Sequence, residues 1–209
     1  IDVVYNGINS SFKLVSEIIK TNTKQRFTNG KNYFLFVGSL NPRKNISRLV
    51  QAFAKFKNDS GSDFKLVIAG ERGWGQSELC ETIGKLNCND DIIFTGRLND
   101  LDLAHVMASA FALTFVPYFE GFGIPLVEAM QCEIPIITSN VTSLPEIADD
   151  AALFVNPYEV NEIKNAMLQL INNPGLRSKL IEKGNQRKNN FSWDKSADLL
   201  WKSVEKALE

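Results

Sequence analysis

The sequence predicts an α/β fold, built as a Rossmann-like, doubly wound parallel sheet of about six strands. Short apolar runs alternate along the chain with segments of helical pattern, which favours βαβ units. The runs are almost continuously apolar, as is typical of strands covered by helices on both faces. With 209 residues, 44% of them hydrophobic, the chain can bury a sizeable core.

Six apolar runs are predicted as strands, at 33–38, 64–70, 92–96, 112–117, 134–139 and 152–156. Helical patterns between and after them cover 46–57, 100–109 with Asn99 as N-cap, a segment starting near Ile124, 159–171, 176–190 and 192–208. The first 30 residues are less regular. We therefore expect residues 1–30 to form a linker with a short helix that leads into the domain, and residues 31–209 to form the domain.

Composition excludes some function classes. The net charge is −1, the pI is about 6.0 and basic residues do not cluster, so nucleic acid is not an expected partner. Cys80, Cys88 and Cys132 have neither disulfide-framework nor metal-ligand spacing, which favours a reducing, cytoplasmic compartment. No apolar run is long enough to span a membrane. The start at Ile1 suggests a piece of a longer protein.

The first candidate ligand loop is "VGSLNPRKN", residues 37–45, between the first strand and the next helix. Ligands of open α/β sheets bind beyond the carboxyl ends of strands. Arg43 and Lys44 stand at the helix N-terminus, where the helix dipole favours acids instead. A bound phosphate would explain both cations. A solvated basic loop is the alternative.

The second loop, "YFEGFGIPLVEAM" from Tyr118, again joins a strand to a helix. Gly121 and Gly123 permit positive φ and close backbone approach, which suits an anion at the helix N-terminus. Glu128 can lean back toward this turn, and Glu120 can reach it from the other side. Both acids also have ordinary interpretations, as a first-turn helix acid and a solvated loop acid.

The third loop is "FTGRLND", in which Arg97 follows a strand and could lie near a flat ring. Asp100 and Asp102 have the spacing of a metal–diphosphate site, but acids are common in the first turn of a helix. His105 is the only histidine and lies inside the predicted helix, where a packing or surface role is favoured over catalysis.

Taken together, these motifs resemble those of family 4 glycosyltransferases, which are retaining enzymes of the GT-B fold. Glu120 and Glu128 match the E-x7-E pattern within "YFEGFGIPLVEAMQCEIPIITSNVTSLPEI". "GSLNPRKN" resembles the first phosphate loop, "FTGRL" the base-binding loop and "FSWDKSA" the start of the C-terminal helix. The resemblance covers almost the whole chain and keeps the motif order.

The resemblance implies that the chain is one half of a GT-B enzyme, the C-terminal domain that binds a GDP- or UDP-linked sugar. The missing N-terminal domain would bind the acceptor. The implied donor-binding residues are Gly38, Ser39, Arg43, Lys44, Arg97, Leu98, Phe122, Gly123, Ile124 and Glu128. Among these, the resemblance places Arg97 and Leu98 near the base. No cofactor and no metal are expected.

The remaining roles also follow from the resemblance. Lys44 would contact the diphosphate with Arg43 beside it, and the N–H groups of residues 122–124 would meet phosphate or sugar. Glu128 would hold the ribose hydroxyls. Glu120 would contact the donor sugar and is the expected catalytic residue.

Three positions depart from the family pattern. Many members have arginine where Ser39 stands, a charge that Arg43 could supply. Tyr118 replaces a common serine before the acidic turn. Glu133 replaces a glycine at a helix end that normally requires positive φ, which predicts a local cost in stability.

The resemblance predicts a full-length enzyme that transfers a hexose, with mannose the best guess, to a saccharide or lipid-linked acceptor. Residues 1–209 alone are expected to be inactive. Two alternatives stay open: a non-catalytic subunit that binds nucleotide sugars, and a sugar-nucleotide 2-epimerase. A cytoplasmic location is expected, with any contact to the inner face of the membrane made through the missing domain.

Overall fold

The structure is a computed structural model that describes residues 1–71, 76–86 and 89–208. Its strands are β1 (Tyr33–Val37), β2 (Lys65–Ala69), β3 (Ile92–Gly96), β4 (Ala112–Phe115), β5 (Ile136–Ser139) and β6 (Leu153–Val155). Its α-helices are α1 (Glu17–Thr28), α2 (Ile46–Ser60), α3 (Gln76–Lys85), α4 (Asp100–Ser109), α5 (Ile124–Gln131), α6 (Leu144–Ala148), α7 (Val160–Asn172), α8 (Pro174–Arg187) and α9 (Trp193–Leu208).

The strands form one parallel sheet in the order β3-β2-β1-β4-β5-β6. This confirms the predicted α/β fold and its six strands. Chain order reverses between β1 and β4, which lie side by side. In such folds a reversal of strand order marks a crevice at the carboxyl edge of the sheet, bordered by the loops that leave the two strands, and this crevice is the usual ligand position.

Burial explains why the strands could be predicted. All residues of β1, β4 and β5 are buried, as expected for strands covered on both faces. The strand ends were less predictable: β4 ends at Phe115 instead of Pro117, and β5 begins at Ile136 instead of Ile134. In β6, Phe154 is exposed because this strand lies at the sheet edge.

The helices follow their local signals with small shifts. Asn99 caps α4 as predicted, since its side-chain oxygen accepts a bond from the Asp102 N–H at 2.9 Å. Helix α8 starts at Pro174, two residues early, because the Asn173 side chain caps it. Helices α3 and α6 were not individually predicted.

Residues 1–30, the segment predicted to lead into the domain, contain α1. This helix packs on α4, where Arg26 Nη1 lies 2.8 Å from Asp102 Oδ1. The Asp102 carboxylate of the D-x-D pair thus binds a guanidinium. The other acid, Asp100, accepts a bond from Asn9 Nδ2 at 3.2 Å.

An aromatic cluster occupies the amino ends of the central strands. It comprises Phe34, Phe56, Phe64 and Phe111. The ring centroid of Phe34 lies 5.2–5.7 Å from those of the other three, and the centroids of Phe64 and Phe111 are 4.9 Å apart. Most of these pairs meet edge to face, the arrangement that aromatic quadrupoles favour. Phe34 is completely buried. This end of the sheet, opposite the crevice, is therefore densely packed.

Helix α9 is amphipathic but buries none of its residues. Trp193, Leu200, Trp201 and Val204 share one face of the helix and are exposed. Ser203 and Lys206 bond to Asp2 beside this face. The described chain thus presents a broad uncovered apolar surface here, and none of its helices has the length and apolar character required to cross a bilayer.

One of the three cysteines, Cys132, lies wholly within the described residues. Cys132 is a buried free thiol, and burial raises its pKa to about 12, so it is unreactive. Cys88 and the side chain of Cys80 lie outside the described residues.

Candidate functional site

The site begins with the loop after β1, which is pressed against the end of β2. A Cβ atom on Gly70 would come within 1.9 Å of the Gly38 carbonyl oxygen, so only glycine fits at position 70. Residues Pro42–Lys44 then form a single 3₁₀ turn. Asn45 adopts φ 60° and its buried Nδ2 donates to the carbonyls of Val116 and Pro157. These contacts fix the loop in which Arg43 and Lys44 lie.

Both cations meet one carboxylate from the loop after β4. Lys44 Nζ lies 2.5 Å from Glu120 Oε2, and Arg43 Nη1 lies 3.5 Å from the same oxygen. Arg43 also donates to the Phe119 carbonyl at 2.7 Å. Lys44 is buried, with its ammonium 4.9 Å from the centre of the Phe115 ring. The structure therefore brings the predicted residues Arg43, Lys44 and Glu120 into one charged cluster across the crevice.

The glycine turn after Glu120 depends on Gly123. This residue has φ 100°, and a Cβ there would lie 2.7 Å from Leu144 Cδ2. Helix α5 begins at the next residue, Ile124. The N–H groups of residues 122–124 make no hydrogen bond within the described ranges, so they are free to bind an anion. The expectation of positive φ is wrong for Gly121, and the space around this residue is open.

Two residues that sequence reasoning missed hold this turn. Ser143 Oγ donates to the carbonyls of Glu120 and Phe122, at 2.9 and 3.1 Å. Thr142 Oγ1 accepts a bond from the Glu120 N–H at 3.3 Å. Both follow β5, the strand next to β4. Their hydroxyl side chains at the carboxyl end of that strand were the only signal available in the sequence.

Glu128 lies one turn inside α5 and is half-buried. Burial, followed by the nearby charge of Asp100, raises the pKa of its carboxyl to about 7. No cation of the described chain pairs with it. A half-buried acid without a partner is costly for the fold, which is typical of residues retained for binding.

Glu128→Gln should therefore stabilise the protein at alkaline pH. The pKa of Glu128 is about 7 in the folded state against 4.5 in the unfolded state, so ionisation of this buried carboxyl destabilises the fold. This destabilisation is absent below pH 4.5, grows as pH rises, and is complete above pH 7. We expect a gain of about 1–3 kcal/mol at pH 8 and under about 1 kcal/mol at pH 5. Urea denaturation at both pH values measures it. Glu133→Gln, at the other end of α5, is the matched control, and an equal gain in both variants would contradict the assignment.

The remaining predicted residues lie in the loops that leave β1 and β3. Arg97 and Leu98 follow β3, two strands away from β1 in the sheet. Their loop runs into α4, whose Asp100 is close enough to Glu128 to affect its pKa. Ser39 is exposed and accepts a bond from Asn41 Nδ2 at 3.0 Å.

The metal and histidine hypotheses gain no support from the geometry. Within the described ranges, no three His, Cys, Asp or Glu side chains are grouped to hold a metal ion. The expectation of metal-free binding itself stays a prediction. His105, Arg26 and Phe27 line a separate pocket of about 240 Å³ between α1 and α4. It is not part of the charged cluster.

Comparison with known proteins then decides the family. Residues 18–187 match the family described as "Glycosyl transferases group 1". The chain belongs to this family. It is 34% identical over 164 residues to the O-antigen chain mannosyltransferase B of Escherichia coli. The aligned region covers 78% of this chain and 43% of that protein. The group 1 chain thus spans less than half the length of that relative.

Solved structures confirm the GT-B-like Rossmann fold of this group 1 glycosyltransferase domain. Anabaena Alr3699/HepE, solved in complex with UDP-glucose, superposes with a TM-score of 0.87 at 18% identity, over 97% of this chain and 57% of that one. The C-terminal domain of a group 1 family protein (LpcC) from Francisella tularensis superposes with a TM-score of 0.72 at 20% identity. It covers 85% of this chain and 93% of that one.

Proposed function

We propose that the chain is the C-terminal, donor-binding domain of a retaining family 4 glycosyltransferase. The full enzyme would transfer a hexose from a GDP- or UDP-linked sugar to a saccharide or lipid-linked acceptor. The observation that carries this proposal is that Lys44 and Arg43 meet Glu120, two residues before the free N–H groups of residues 122–124, in the loops that leave the two strands at the strand-order reversal. Such a combination suits a diphosphate, which requires both cations and N–H donors.

The donor would lie across the crevice with its diphosphate at this cluster. Lys44 and Arg43 would neutralise the charge that develops on the diphosphate when the bond to the sugar breaks, so that no metal is needed. Glu128 would accept hydrogen bonds from the ribose hydroxyls, which favours its ionised form. Glu120 would contact the sugar, and Arg97 and Leu98 would border the base.

Retention would follow if the acceptor approached from the face that the diphosphate leaves. The departing phosphate oxygen would take the proton of the acceptor hydroxyl while that hydroxyl oxygen bonds to the anomeric carbon. Mannose is the favoured sugar because the Escherichia coli relative is named as a mannosyltransferase. The uncovered face of α9 suits contact with the N-terminal, acceptor-binding domain. We expect the chain alone to transfer no sugar, because catalysis requires both reactants to be held together.

Thermal shift with UDP, GDP, ADP and their sugars tests the proposal. At least one nucleoside diphosphate should raise the melting temperature, since a ligand that binds only the folded state stabilises it. The shift should persist in EDTA. If no nucleotide shifts the transition, the donor-binding assignment is wrong. A shift that EDTA removes would contradict binding without a metal.

A further inference from the structure

Glu120 is the anionic partner of both cations of the proposed diphosphate site. The Lys44 and Glu120 side chains are only 11% and 17% exposed, so water screens their 2.5 Å ion pair weakly. No other acid in the described part of the chain lies within 4.0 Å of the Lys44 ammonium or the Arg43 guanidinium. Two positive charges therefore share one negative charge.

Hydrogen bonds fix the backbone of Glu120 beside the two cations. Thr142 binds the Glu120 N–H, and Ser143 binds its carbonyl. Arg43 donates a hydrogen bond to the carbonyl of Phe119, the residue before Glu120. Neither loop can therefore carry its charges away from the other without breaking several hydrogen bonds.

A diphosphate that binds Lys44 and Arg43 must bring its oxygens close to the Glu120 oxygen. The negative charges of the diphosphate and of Glu120 repel each other at such short range, and the low exposure of the site strengthens this repulsion. A diphosphate must either displace Glu120 from Lys44 or bind beside an uncompensated negative charge. Both routes weaken binding relative to a site without this acid.

We infer that Glu120 competes with the diphosphate for Lys44 and Arg43 and so weakens the binding of the product, the free nucleoside diphosphate. This inference rests on the proposed function. The free nucleoside diphosphate carries more negative charge than its sugar ester, so the competition acts more strongly on it than on the donor. Glu120 thereby favours exchange of product for donor, in addition to its proposed contact with the sugar.

The test is calorimetry of wild type and Glu120→Gln with inorganic pyrophosphate, UDP and GDP. The substitution keeps size and removes charge. We expect pyrophosphate and the matching nucleoside diphosphate to bind about 10-fold more tightly to the variant, equivalent to about 1.4 kcal/mol. Glu133→Gln is the control, because Glu133 pairs with Lys188 at the far end of α5 and should leave affinity unchanged.

A double-mutant cycle shows whether the effect passes through the ion pair. In a Lys44→Met background, the gain from Glu120→Gln should shrink, because the partner that the acid neutralises is gone. An equal gain in both backgrounds would overturn the inference. So would weaker or unchanged pyrophosphate binding by a Glu120→Gln variant that melts at the wild-type temperature, or no pyrophosphate binding by either protein.

Failure of the proposed function and failure of the Glu120 inference give different results in this experiment. If UDP, GDP and ADP bind no more tightly than pyrophosphate, the nucleotide-sugar assignment fails. The comparison of wild type with Glu120→Gln on pyrophosphate still decides whether the acid competes for the cations.

Discussion

Replacing Lys44 with alanine is expected to weaken the binding of every nucleoside diphosphate about 10- to 100-fold, whatever its base. A charge-assisted hydrogen bond is worth about 1.5–3 kcal/mol, which corresponds to that range. Lys44 is also the cation nearer to the Glu120 carboxylate, at 2.5 Å against 3.5 Å for Arg43, so the substitution removes the more deeply placed positive charge of the cluster. Calorimetry with UDP and GDP measures the effect.

Lys183→Ala is the matched control for this experiment. Lys183 also forms a 2.5 Å ion pair, with Asp150, but lies on α8 outside the charged cluster. Its removal should change nucleotide affinity little because it lies outside the cluster, and should cost little stability because exposed ion pairs contribute little to it. If Lys44→Ala binds both nucleotides as wild type does, Lys44 is not in the binding site.

The second large effect concerns stability. Phe34→Ala should lower the free energy of unfolding by about 3–5 kcal/mol, the usual cost of removing a buried phenylalanine. Phe34 is completely buried and contacts three other phenylalanine rings, so the cavity cannot easily collapse. Urea denaturation measures the loss.

Phe119→Ala provides the comparison, because this side chain is 57% exposed and should change stability by under about 0.5 kcal/mol. If the two variants lose similar stability, the aromatic cluster does not support the fold. Below its melting transition, Phe34→Ala should bind nucleotide as wild type does, since the cluster lies at the opposite end of the sheet.

The fold could be predicted because its signals are local. Continuous apolar runs such as Tyr33–Val37 identify buried parallel strands, and the loops that leave them identify the edge where ligands bind. What could not be predicted is pairing over distance. Lys44 and Glu120 are 76 residues apart, and no pattern within either loop shows that their side chains meet. The supporting roles of Thr142 and Ser143 depend on β5 lying beside β4, which is likewise a property of the folded sheet.

The departures from the family pattern have physical explanations in part. Tyr118 stacks on Tyr158 at 4.9 Å, and the Arg48 guanidinium lies over both rings. A serine could not make these contacts, so Tyr118 acts here as a packing residue. Glu133 has φ 56°, as predicted for a position that favours glycine, and Lys188 lies 3.6 Å from its carboxylate.

The position of the phenylalanine cluster has a consequence for sequence divergence. The phenylalanine cluster lies at the amino ends of the strands, whereas the ligand loops lie at the carboxyl ends. A substitution of an exposed ligand-loop residue therefore leaves the contacts of this cluster in place. Such residues, and with them ligand preference, can change without compensating changes in the cluster. Such tolerance is consistent with a backbone that superposes at a TM-score of 0.87 on a protein only 18% identical.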